Sequence, residues 1–318
     1  MSQMDGFRDR ALPSVTDTHR QNLTMRTRQF IPLLIPLMFA ACESENINEV
    51  ATSSARVPGD IDGAVRRYGA PLKVGEGRGR SYVVVNPRDR NTPLEIGVAL
   101  DAAALQGLPM PVPHAAGTAA AGDEHAHLGA TELLLPLPAN HGTQYKLIEL
   151  NWNPAGHEPP GIYDIPHFDF HFYSITKDAR DAIVPTDPEF ITKAARFPAA
   201  DLVPAGFMVL PPTPAPVPAV PRMGVHWSNL AAPELQPPGS PTRAAFTQTF
   251  IFGSWNGDFI FAEPMITRDY LLTKPNVTIP IAPAARYIAG TYAPTAYRIT
   301  YDAARREYRI ALSGLTKR

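Results

Sequence analysis

The chain of 318 residues has one cysteine, Cys42, so no disulfide can form within it and the cross-linked framework of small secreted domains is excluded. Neither sign of charge is in excess. Lys and Arg number 29 against 30 Asp and Glu, a formal net charge of -1, which leaves no basic field to neutralise phosphates and removes nucleic acid as an expected partner. Long helices are not expected either, because 35 prolines delete backbone donors and favour short elements, edges and loops. GEGRGRS (Gly75 to Ser81) lacks the Gly-Lys-Ser/Thr ending of a phosphate loop and precedes a strand, so it reads as a flexible turn. GSWNG (Gly253 to Gly257) sets its serine one position too early for a nucleophile elbow. A hydrophobic content of 44% still allows a substantial core.

The single cysteine has an informative context. From Met25 the chain reads MRTRQFIPLLIPLMFAAC: Arg26 and Arg28 form a basic start, Phe30 to Ala41 an apolar stretch too short to cross a bilayer comfortably, and Ala40 and Ala41 lead into Cys42. This resembles a bacterial lipoprotein signal, with Phe39 in place of the usual Leu, and implies lipidation of Cys42. The organisation expected is an unstructured upstream segment (1–24), a lipoprotein signal peptide (25–41), a polar flexible tether (42–60) and a β-rich domain (61–318). Such a protein is exported and lipid-anchored to the cell envelope, facing the periplasm or cell surface, with the membrane as its partner through the lipid.

Most of the domain reads as strands. GRSYVVVN and TPLEIGVAL flank the turn-rich PRDRN as a hairpin, and Asp101 caps a helical turn over DAAALQGLP that Gly107 and Pro109 stop. ELLLPLP, QYKLIELNW and IYDIPHFDFHFY continue the β pattern, and KDARDAI is a short helix. FTQTFIFGS and DFIFAEP meet at Asn256-Gly257, a dipeptide suited to two-residue turns, and YRITYDAARREYRIAL is a last hairpin. Leu202 to Pro221, rich in Pro and Ala, is an extended loop. The fold class expected is mainly β: an antiparallel β-sandwich or barrel, a cupin-like barrel included, with a few short helices and long Pro-rich loops.

PHFDFHFY (Pro166 to Tyr173) concentrates the chemistry. Side chains alternate across a strand, so Phe168, Phe170 and Phe172 share a core face while His167, Asp169 and His171 share the other. Imidazole and carboxylate at i and i+2 suit a divalent ion such as Zn²⁺, Fe²⁺ or Mn²⁺. Residues i to i+4 span about 13 Å, so one ion takes two of the three and draws further ligands from elsewhere. His226 in MGVHW and Glu263 in FAEPM are the candidates for a second strand, and His157 in GHEPPG precedes the group. An ordinary solvated sheet face is the competing reading. His125 and His127 in DEHAH read as exposed loop.

Two resemblances attach to these residues. GIYDIPHFD, with Gly-x5-His-x-Asp, is similar to the first metal motif of cupins, and PRMGVHWSN resembles a relaxed form of their second; Asp169 stands where cupins have a second His. That resemblance implies His167, Asp169 and His226 as ligands. More of the chain, from RSYVVV and PLEIGVALDAAALQGLP through GHEPPGIYDIPHFDFHFY and MGVHW to FIFGSWNGDFIFAEPMIT, resembles an uncharacterised family of exported bacterial proteins, a domain of unknown function. Two functions follow as expectations. One is a metal-dependent, cupin-like enzyme acting on a small molecule. The other is a noncatalytic envelope protein that binds a ligand or assembles as a homo-oligomer through the His-rich face.

Overall fold

The computed structural model describes residues 63–110, 130–210 and 218–318. Cys42, the segments 1–24, 25–41 and 42–60, and His125 and His127 lie outside the described residues.

The chain first builds β1 (Val65–Tyr68), β2 (Leu72–Val74), β3 (Gly77–Val85) and β4 (Pro93–Asp101), then β5 (Thr131–Leu135), β6 (Leu147–Asn153), β7 (His167–Tyr173), β8 (Phe207–Val209), β9 (Val225–Asn229), β10 (Gln248–Trp255) and β11 (Asp258–Thr267). It returns through β12 (Val277–Pro280), β14 (Ala296–Asp302) and β15 (Glu307–Ser313), while β13 (Tyr292–Ala293) pairs with β16 (Thr316–Lys317). Two antiparallel sheets result. The first has the order β1-β3-β4-β15-β14-β12, with β2 also on β3; the second runs β5-β6-β7-β11-β10-β9-β8. Helices are short, as the prolines require: α1 (Lys177–Asp181), α2 (Phe190–Ala194) and α3 (Arg268–Leu272).

The sheets pack face to face as a β-sandwich, and alternation decides what each strand contributes. Ile96, Val98 and Leu100 of β4 and Ile299, Ile310 and Leu312 of β14 and β15 meet Ile148, Leu150, Phe168, Phe170 and Phe172 of β6 and β7 in one buried core. The expected core face of PHFDFHFY is therefore the inner face of the second sheet. Local signals hold where they are covalent or short-range. Asn256 and Gly257 take positive φ (52° and 96°) between β10 and β11, as a two-residue turn with matching twist needs. Asp101 Oδ1 accepts from Ala104 N and opens a 3-10 turn over Ala102–Leu105.

Two expectations are corrected. GEGRGRS is no flexible turn: only its start turns, and Gly77 begins β3, paired with Val74 and packed so closely that a Cβ would lie 2.4 Å from Ala104 N. The Pro-rich stretch after Leu202 is not all loop, since β8 adds the outermost strand of the second sheet, where a short edge is tolerated.

Candidate metal centre

On the outer face of the second sheet, β7 presents His167, Asp169 and His171, and β6 matches them pair by pair with Asn153, Asn151 and Glu149. From β11, Glu263 reaches His171. A single solvated face does not describe this surface: His167 and Glu149 have no exposure, and Asp169, His171 and Glu263 have 1 to 2%. Apolar clusters close both ends of the row. Tyr173, Phe261 and Val225 pack with Ile183, Phe190 and Met223 at one end, and Ile251 and Met265 with Tyr163 and Phe246 at the other. Buried polar groups of this kind need partners.

The β6–β7 connection supplies a third histidine. Gly156 sits at φ 71°, and a Cβ there would lie 2.1 Å from the Tyr163 carbonyl oxygen, so glycine lets the loop close on itself. His157 follows and stands nearly perpendicular to His167, ring centroids 4.6 Å apart. Its Nε2 is 3.5 Å from Asp169 Oδ2, and His167 Nε2 is 3.1 Å from Asp169 Oδ1. The other ring nitrogens are anchored: His157 Nδ1 lies 2.8 Å from the Glu158 carbonyl and His167 Nδ1 2.7 Å from the Ile165 carbonyl. A carbonyl only accepts, so Nδ1 carries the proton, and in the neutral ring Nε2 offers a lone pair toward Asp169. Asn153 Nδ2 donates to Asp169 Oδ2 at 2.6 Å and fixes the carboxylate.

His167 Nε2 and Asp169 Oδ1 form an ion pair at 3.1 Å when the ring is protonated, and among the described residues neither atom has a further hydrogen-bond partner. Two ligands each about 2.1 Å from one ion, at 90 to 110°, stand roughly 3.0 to 3.4 Å apart. The His167–Asp169 separation falls in that range, and the ligand atoms of His157, His167 and Asp169 all lie within 4.8 Å of one another, a group that could hold a metal ion. Two imidazoles and a carboxylate suit Zn²⁺, Fe²⁺ or Mn²⁺ alike. The side chain of His157 keeps 17% of its surface exposed, while the other two are sealed. Behind His167, Ile165 and Phe246 also line a cleft of about 380 Å³ with Asp164, Glu234 and Arg243.

Charge follows the same division. Burial pushes the Asp169 carboxyl up, but His167 and His157 outweigh it and hold it well below the carboxylate range. Burial lowers His157, but Asp169 outweighs it and raises it. At the other end of the row burial opposes the His171 cation, but Glu263, 3.1 Å away, raises it to about 9. Glu263 is itself raised, by burial first, against the pull of His171.

The expected site residues are thus divided. His167 and Asp169 come together with His157; His171 and Glu263 form an adjacent pair. His226 does not join them: β11 and β10 stand between its strand and β7, and the Phe261 ring packs against both His226 and His171. The cupin-like assignment of His226 fails on that strand order. Glu149, Asn151 and Asn153 are not among the expected residues, although LIELNWN alternates them with Ile148, Leu150 and Trp152, a pattern that could have marked them. Arg180, which pairs with Glu149 at 2.6 Å, has no sequence signal. Among the described residues no helix is long and apolar enough to cross a membrane. No protein-family model, curated protein or solved structure matches the chain.

Proposed function

We propose that the protein is a metal-dependent enzyme of the bacterial cell envelope, with a divalent ion held by His157 Nε2, His167 Nε2 and Asp169. The observation that carries this reading is the pair of backbone-anchored imidazoles whose Nε2 atoms converge on one buried carboxylate. Hydrogen bonds at Nδ1 that orient a ligating ring are a recurrent feature of protein metal centres. Three protein ligands leave coordination positions for water or substrate, which is the arrangement of catalytic rather than structural sites. An ion there supplies Lewis-acid polarisation or an activated water. Within the protein, Asn153 orients Asp169, the Ile165 and Glu158 carbonyls orient the rings, and the apolar clusters keep bulk water from the row. None of the three ligands lines the 380 Å³ cleft, but Ile165 and Phe246, which both touch His167, do, and we assign a small substrate to that cleft. The lipoprotein-like segment ending at Cys42 supports export and anchoring, and the resemblance to exported bacterial proteins agrees with it.

The test is ligand-linked stability. Added Zn²⁺, Mn²⁺ or Fe²⁺ raises Tm by the free energy RT ln(1 + [L]/Kd), about 2.7 kcal/mol at a hundredfold excess over Kd. His167→Ala lowers the starting Tm, because the ring is buried, and abolishes the shift. A shift of equal size in the variant contradicts the assignment.

A further inference from the structure

We infer that the substrate of the 380 Å³ cleft carries an organic cation, an ammonium or guanidinium group, and that Glu234 binds it; this rests on the reading above that the cleft takes a small substrate. Glu234 sits in the 3-10 turn Pro233–Leu235 and lines the cleft, yet only 3% of its surface is exposed. Among the described residues its side chain accepts one hydrogen bond, from a neutral group: the Tyr163 hydroxyl lies 3.2 Å from Oε1. Oε2 accepts none, and no Lys, Arg or His pairs with the carboxylate.

A carboxylate buried without a basic partner is costly, and such groups are ordinarily paired. Among the described residues every other buried carboxylate obeys that rule. Glu95 meets Arg298, Glu149 meets Arg180, Asp302 and Glu307 meet Arg309, Asp169 meets His167, and Glu263 meets His171. Glu234 is the exception, and it is the one that lines a cleft. Arg243 lines the same cleft, but it is exposed and donates Nη1 to the Gln236 carbonyl rather than to Glu234. A single carboxylate beside the apolar wall of Ile162, Ile165 and Phe246 suits an organic cation, whereas a metal ion of the Ca²⁺ or Mg²⁺ kind needs several oxygen ligands. The carboxylate is also fixed relative to the proposed metal centre. Tyr163, which holds it, meets Phe246 edge-on at 4.9 Å and stands 6.1 Å from the His157 ring, and Phe246 packs on His167 at 5.4 Å.

Calorimetric titration of the metal-free, full-length protein with benzylamine, an ammonium on an apolar ring, tests the inference without involving the metal centre. Benzylamine should bind about tenfold or more tightly than benzyl alcohol or phenylacetate, the gain of a hydrogen bond to a charged group. Glu234→Gln keeps an acceptor for Tyr163 and should abolish that preference. Ala244→Trp, at an exposed position lining the cleft, should block benzylamine altogether. Benzylamine bound no more tightly than benzyl alcohol, or bound equally well by Glu234→Gln, overturns the inference. Tighter binding of phenylacetate assigns the cleft to anions through Arg243 and overturns it too. If circular dichroism shows Glu234→Gln unfolded, Ala244→Trp decides, since benzylamine binding that survives it lies elsewhere. A Tm that does not respond to Zn²⁺, Mn²⁺ or Fe²⁺, with the amine preference intact, removes the metal centre and leaves the role of Glu234 standing.

Discussion

On the outer face of the first sheet, both carboxylate oxygens of Glu95 are bonded, one by Tyr82 Oη at 2.6 Å and one by Arg298 Nη1 at 2.7 Å. On the outer face of the second, Glu149 has an ion pair with Arg180 but no hydrogen bond to either oxygen among the described residues, and Glu263 Oε2 likewise has none. The contrast extends along both faces. Glu307 receives Arg309 Nε at 2.8 Å and Arg80 at 3.3 Å, and Asp302 receives Arg305 N at 3.1 Å and Arg309 Nη2 at 2.9 Å. Guanidinium groups carry fixed charge and many donors, so they complete a buried carboxylate by themselves. Imidazoles offer lone pairs and exchangeable protons, and they leave the carboxylates of the second sheet open to a cation. Equal burial of charge thus completes its own partners on one sheet and, on the other, leaves a group that could hold an ion.

The apolar layer between the sheets sets the scale against which both faces are judged. Phe170→Ala removes a fully buried ring from the common core and should cost roughly 3 to 5 kcal/mol in denaturant unfolding, a large part of a domain's stability. A neutral result would displace the core.

The same substitution on the two polar faces sharpens the comparison. Glu95→Gln leaves the Arg298 guanidinium buried beside a neutral amide, and stranding one partner of a buried pair should cost about 3 kcal/mol. Glu263→Gln should cost under about 1 kcal/mol in metal-free protein at neutral pH, because His171 can shed its proton once the carboxylate is gone, whereas arginine cannot. Equal costs in a pairwise denaturation experiment would erase the distinction between the faces.

The smallest effect is in acid. Burial pushes Asp302 up, but the hydrogen bonds from Arg305 and the charge of Arg309 outweigh it and hold the carboxyl below its ordinary value. Its folded pKa lies below the unfolded one, so its stabilisation is complete above the unfolded value near 4 and is lost as pH falls through the lower folded value. Asp302→Asn should flatten the acid limb of a stability–pH curve and leave the alkaline limb unchanged; an unaltered acid limb would refute the role given to this pair.

Short-range features of the molecule are legible in its amino-acid sequence. The division of PHFDFHFY into a Phe face and a His face follows from strand alternation, and the turn at Asn256-Gly257 from local conformational preference. Long-range ones are not. His157 arrives through a loop whose closure depends on Gly156, and no periodicity links it to His167. Glu149 becomes a neighbour of His171 only through the register of β6 on β7. His226 and Glu263 are equivalent candidates in sequence, which does not show that two strands separate His226 from β7. Burial of the polar face is also hidden, since the segments carrying Tyr163, Phe190, Met223 and Phe246 come from four different connections.

The central claim is that His157, His167 and Asp169 form one metal centre, and anomalous diffraction tests it most directly. Crystals of the protein grown with Zn²⁺ should give an anomalous peak about 2.0 to 2.2 Å from His157 Nε2, His167 Nε2 and an Asp169 oxygen. A map with no peak on that face, or with peaks only at surface carboxylates, would contradict the account.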